Sequence, residues 1–178
     1  MSYELRFPIG EYVKPAEITD EYWLQCIADI AQLPQHIAQA VQGMSEAQLD
    51  IPYRPEGWTS RQVVHHLADS HINMFTRLKL ALTEEQPTIK PYMEAAWANL
   101  PDYSMPVDVS VALLKALHAR WVCVLRSLSV EERKRGFVHP EFGKVFSIEH
   151  IIGFYAWHCR HHVAHITELK KRQPDLFA

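Results

Sequence analysis

One helical stripe constrains this chain more than anything else in it. In alternating steps of three and four it runs Ile148, Ile151, Tyr155, His158, His162, His165 and Leu169. The stripe is apolar at both ends and imidazole in the middle. A helix carrying it must bury a row of polar rings, and burying polar groups without partners is unfavourable. Neutral imidazole is a common metal ligand, so a metal is the leading reason for such a stripe. Five of the eleven histidines fall between His150 and His165 and three more between His65 and His71, which suggests the helix that should face it.

Four long segments share this helical periodicity. The first spans about Thr19 to Gln42 through Trp23, Ile27, Ile30, Ile37 and Val41. Pro34 lies inside it, where a kink or break is expected, and Gly43 supplies a stop. The second starts from a capping-box pair, Thr59 and Gln62, with Trp58 and Val63 as hydrophobic staple, and continues to about Leu82. The third spans about Val107 to Leu128. The fourth starts at Ser147, with Phe146 and Ile151 as staple, and ends near Lys171 and Arg172, whose charges suit the negative end of the helix dipole. Proline-containing connections join them over residues 51–57, 84–106 and 136–146. The middle one is long for a compact bundle, so it is either a functional loop or home to a short helix near Glu94 to Asn99.

A weak internal echo relates the halves. Ser45-Glu-Ala-Gln, Pro55-Glu-Gly and a capped helix are followed later by Ser129-Val-Glu-Glu, Pro140-Glu-Phe-Gly and another capped helix. Four such helices make an all-α, four-helix bundle, where metal sites are built from side chains on facing helices. The 178 residues fit a single domain over 1–178, with 48% hydrophobic and 22% charged residues and a formal net charge of −3. No basic block suggests a nucleic-acid partner. The three cysteines, Cys26, Cys123 and Cys159, show no CxxC spacing. Met1 to Lys14 lacks the apolar core of a signal peptide, and no run approaches a membrane span. A cytoplasmic protein without a membrane partner is the expectation.

The apolar stripe selects His158 and His162 over the alternative pair His161 and His165. A third ligand must come from another helix. His66, one turn after Val63 and beside Leu67, is favoured over His65, which falls in line with Asp69, Ile72 and Thr76. Three ligands leave a position open, as catalytic zinc sites do. His165 reads as a neighbour or core residue, His36 and His118 as hydrogen-bonded core, and His161 and His71 as exposed or rim. Tyr155, Asp69 and Asn73 are candidate helpers. Arg77 and Arg160 read as solvated, and Cys159, Trp23, Trp58 and Trp121 as packing residues.

At these residues the chain resembles a known family. Gly57-Trp-Thr-Ser-Arg-Gln-Val-Val-His-His-Leu-Ala-Asp-Ser-His71 is similar to the second-helix signature of the DinB superfamily. Lys79 to Glu85, Pro87 to Tyr92, Ala116 to Trp121, Leu125 to Leu128, Arg135 to Glu141 and Tyr155 to Ile166 resemble its YfiT-like branch. That branch comprises bacterial proteins described as metal-dependent hydrolases and linked to bacillithiol S-transferases. The resemblance implies a four-helix bundle, one divalent metal held by His66, His158 and His162, and a homodimer. One departure is His165, where many members carry Gln.

Two chemistries follow from an open three-histidine site. In hydrolysis the metal activates water against a small-molecule substrate. No Glu lies within the histidine motif as in HExxH enzymes, which weakens a peptidase reading. In thiol transfer a low-molecular-weight thiol is deprotonated by coordination and aimed at an electrophile, with no protein base required. A non-catalytic metal-binding bundle is the third possibility, and it would normally need a fourth protein ligand. Hydrolysis is placed first. Zinc or nickel suits three imidazoles.

Overall fold

The computed structural model describes residues 2–177, with side chains from Glu4 onward. Met1 and Ala178, the ends of the expected domain, lie outside the described residues. In chain order the elements are α1 (Ser2–Arg6), α2 (Asp20–Val41), α3 (Glu46–Leu49), α4 (Ser60–Thr83), α5 (Glu94–Trp97), α6 (Val107–Ser127), α7 (Val130–Lys134), β1 (Gly136–His139), β2 (Lys144–Ser147) and α8 (Ile148–Arg172). Short 3₁₀ turns cover Pro101–Ser104 and Pro174–Leu176. The four long helices form a four-helix bundle.

Local chemistry sets their boundaries. Thr59 and Gln62 complete a reciprocal capping box, in which each side chain accepts from the other residue's backbone N–H. Ser147 caps α8 by accepting from the His150 amide. Gly43 follows α2 with φ of +75°, a conformation open to glycine at little steric cost. The short α3 and α7 carry the same capping box, from Ser45 with Gln48 and from Ser129 with Glu132. The echo in the sequence is therefore a repeated layout.

Of the kink or break expected at Pro34, the break does not occur: α2 runs through it as one helix. Proline cannot donate to the carbonyl four residues back, and that carbonyl, on Ile30, instead accepts from His118 Nδ1 at 2.6 Å. Residues 136–146, expected only as a proline-containing connection, hold an antiparallel hairpin pairing Gly136 with Ser147 and His139 with Lys144. A Cβ at Gly136 would lie 2.3 Å from the Phe146 carbonyl oxygen, so this crossing requires glycine. The middle connection contains α5 where a short helix was expected, and its one strand-like contact is an isolated bridge between Thr88 and Val138.

The order of the helices around the bundle decides the site. α2 packs on α8 and α6, and α4 packs on α6 and α8. Of the helices consecutive in sequence, α2 with α4 and α6 with α8 thus stand diagonally, which their long connections permit, while α4 and α6 are neighbours. The two histidine-bearing helices, α4 and α8, become adjacent. Trp23, Ile30, Leu67, Leu114, Trp121 and Ile148 are nearly inaccessible in the shared core. His118 joins this core as expected, but His36 is exposed on α2.

Candidate metal centre

His66 projects from the second turn of α4, and His158 and His162 from the middle of α8. All three are buried, and one nitrogen from each lies within 4.8 Å of the others. His158 Nε2 and His162 Nε2 are 3.1 Å apart. Two nitrogens bound to one zinc at ~2.0–2.1 Å in tetrahedral geometry sit about 3.3 Å apart, so this spacing suits a shared cation. Burial pushes the His66 pKa down to about 4, with His165 adding to the effect. Burial, then neighbouring imidazoles, holds His158 and His162 well below the ordinary range. At neutral pH the rings are uncharged and their lone pairs are free to bind an ion. The donor set fits a divalent transition metal.

The other histidines have separate tasks. His65 donates from Nε2 to the Met105 carbonyl at 3.0 Å, and its Nδ1 meets Ser110 Oγ at 2.8 Å. It ties α4 to α6 and stands outside the cluster. His165 donates from Nε2 to the Arg6 carbonyl at 3.1 Å, and its ring stacks on Tyr53 at 3.8 Å. Among the described residues the cluster has three members, and His165 does not close it.

His71 and His161 correct the expectation of rim positions. His71 is wholly buried between His118 and His158. His161 stacks on Trp157 and is covered by Phe7. Helical phase placed His161 away from the main stripe of α8, but His71 continues the apolar stripe of α4 through Val64, Leu67, Met74 and Leu78, a signal for burial that the rim reading overlooked. His71 packs against His118 of α6, and the N-terminal segment covers His161 in spite of its phase.

The cluster borders a cavity of about 450 Å³. Trp58, assigned to packing, also lines it, with its ring 4.5 Å from His66. Tyr155 lines it too, its hydroxyl 3.2 Å from Ser70 Oγ. Asp69 and Asn73 do not reach the cavity. Asp69 accepts from the Tyr103 hydroxyl at 2.8 Å, and Asn73 donates to the Asp69 carbonyl at 2.9 Å. Arg77 donates to the Lys90 carbonyl, and Arg160 pairs with Asp29. A larger groove of about 970 Å³ runs along α2 and α6, but no candidate ligand set lines it.

Several cavity residues were not legible in the sequence. Arg6 and Phe7 come from the N-terminal segment, and Glu94 from α5. Glu94 is exposed as a residue, yet crowding by the protein raises its carboxyl pKa, while Arg77 opposes the shift and Glu141 adds to it. No periodicity marks these positions, because they reach the cavity through connections. The only signal was the length of the middle connection, which pointed to a functional loop.

Comparison with known proteins agrees with this geometry. Residues 29–166 match the sequence model of the DinB superfamily. The chain belongs to the DinB superfamily. A Bacillus cereus (strain 03BB102) protein named "putative metal-dependent hydrolase" is 52% identical over 169 residues, covering 95% of this chain and 97% of its own. A Bacillus anthracis (strain CDC 684) protein of the same name is 51% identical with the same coverage. The solved structure of YfiT from Bacillus subtilis, described as "a probable metal-dependent hydrolase with an unusual four-helix bundle topology", has a TM-score of 0.93 and 48% identity. It covers 96% of this chain, which covers 98% of it. The diagonal placement of α2 with α4 and of α6 with α8 accords with that description.

Proposed function

We propose that this chain is a metal-dependent hydrolase of small molecules, with His66, His158 and His162 holding one zinc or nickel ion. The observation that carries the reading is the convergence of three buried, neutral imidazoles on an open cavity, with no fourth protein ligand among the described residues. That is the donor count of a catalytic site, whereas structural sites are usually closed by four. A divalent cation bound there supplies the charge that acidifies a coordinated water or thiol and polarises a substrate carbonyl.

The chain's own groups divide the remaining work. Trp58, Phe154 and Tyr155 give the cavity aromatic walls that exclude water around an apolar substrate body. Glu94 supplies the base that the histidine motif lacks, and its raised pKa moves it towards the range useful at neutral pH. Arg6 and Arg54 at the same cavity suit an anionic substrate group. The second reading is thiol transfer to an electrophile. It is favoured by the absence of any carboxylate from the cluster itself, since a coordinated thiol needs no protein base.

The test begins with metal content of tag-free protein beside His158→Ala and His162→Ala. About one ion per chain, lost in both variants, supports the site. Ester and amide panels with and without an added thiol then separate the readings. Turnover in water alone that falls in Glu94→Gln, with metal content retained, supports hydrolysis. Turnover only with thiol supports transfer. Metal that raises the melting temperature without turnover in either panel would leave a stabilising ion and end the enzyme reading.

A further inference from the structure

His158 differs from His162 in how its outer nitrogen is held. His162 Nδ1 is buried without a protein partner. His158 Nδ1 lies 3.3 Å from His71 Nε2. His71 Nδ1 lies 2.8 Å from His118 Nε2, and His118 Nδ1 lies 2.6 Å from the Ile30 carbonyl oxygen. Three imidazoles from three helices thus form one chain that ends on the backbone of a fourth. His71 and His118 are almost inaccessible, at 0% and 2% exposure, so the rings have little contact with solvent.

The far end sets the direction of every hydrogen bond. A backbone carbonyl only accepts, so His118 carries its proton on Nδ1. A neutral ring then accepts at Nε2, and His71 must donate to it from Nδ1. His71 accepts at Nε2 in turn, and His158 must donate from Nδ1. The His158 lone pair is left on Nε2, the atom that faces His162 Nε2 across the cluster. The Ile30 carbonyl lacks its helical donor because the residue four positions on is Pro34.

We propose that His71 and His118 are positioning residues for the metal. Anchored on the carbonyl that Pro34 leaves without a helical donor, they hold His158 in the tautomer whose Nε2 binds the ion. The inference rests on the three-histidine cluster being the metal site. Hydrogen bonds to the outer nitrogen of a ligating histidine fix its tautomer and orientation. Here two further imidazoles transmit that role from the main chain.

Zinc and nickel dissociation constants, measured on stripped protein against a chromophoric chelator, test it together with ring-nitrogen NMR of the metal-free chain. The metal-free wild type should show His158, His71 and His118 as Nδ1–H tautomers. His71→Phe and His118→Phe should each weaken binding by about 10–100-fold. The double variant should lose no more than His71→Phe alone, because the chain is already broken. His118→Gln can donate to the Ile30 carbonyl and accept from His71, and should restore affinity that a purely steric role would not. A His158 Nε2–H tautomer in the wild type, or wild-type affinity in folded His118→Phe, overturns the proposal. If the Phe variants fail to fold, the wild-type spectrum decides. A wild type that binds neither metal removes the site itself, whereas unchanged variants of a metal-binding wild type remove only the imidazole chain.

Discussion

Acidification of the metal-free chain tests the buried histidines directly. Burial lowers the pKa of His66, His118 and His161 to about 4, with the His165 charge adding at His66 and the Ile30 carbonyl opposing at His118. Burial, with His161 adding and the Arg6 carbonyl opposing, lowers His165 to about 3. An unfolded histidine titrates near 6.5. For groups depressed in the fold, the stabilising contribution is complete above about pH 6.5 and is lost as pH falls towards the folded values. At pH 5.5 each such ring costs about 1.4 kcal/mol relative to pH well above 6.5, and at pH 5 about 2 kcal/mol. The four together remove about 6 and then about 8 kcal/mol, against a total of about 5–15 kcal/mol for an ordinary domain. His71, His158 and His162 are depressed by burial in the same direction. The metal-free chain should therefore unfold cooperatively between about pH 6 and 5, taking up at least four protons. Far-ultraviolet circular dichroism against pH, with proton uptake measured alongside, reads both quantities. Zinc should move the midpoint to lower pH, because the ligands must stay deprotonated. Intact helix at about pH 4 in the metal-free chain, with the imidazoles titrating near 6.5, would refute the reasoning.

Three further outcomes are expected. Gly136→Ala places a Cβ against the Phe146 carbonyl and should cost about 1–3 kcal/mol or more in urea unfolding, through the hairpin that leads into α8. Leu114→Ala removes a fully buried side chain and should cost about 2–5 kcal/mol in the same assay. His165→Gln should retain about one metal per chain by elemental analysis, because His165 bonds the Arg6 carbonyl and lies outside the cluster.

Much of the site was legible because it is local. Positions four apart on a helix share a face, so His158 and His162 could be paired from sequence, and capping residues marked where α4 and α8 begin. The side of α4 that carries Val63 and Leu67 also selected His66. Periodicity identifies the face a helix presents to a core, but it does not say what lies opposite. Pro34 shows the limit: the local rule leaves kink and break open, and only the packed structure shows that the helix continues, with His118 taking up the carbonyl left without a donor.

What the sequence alone determined was four amphipathic helices, their caps and the histidines that could share a face. Tertiary structure decided that α4 and α8 are neighbours, while α2 stands diagonal to α4 and α6 to α8. It also buried His161, which lies off the main stripe, set His71 between His118 and His158, and brought Arg6, Phe7 and Glu94 to the cavity from segments without periodicity. The physical reason is the range of the forces involved. Caps and helix faces are fixed by residues within a turn or two, whereas the fate of a polar side chain depends on the hydrogen-bond partner that packing brings from elsewhere in the chain.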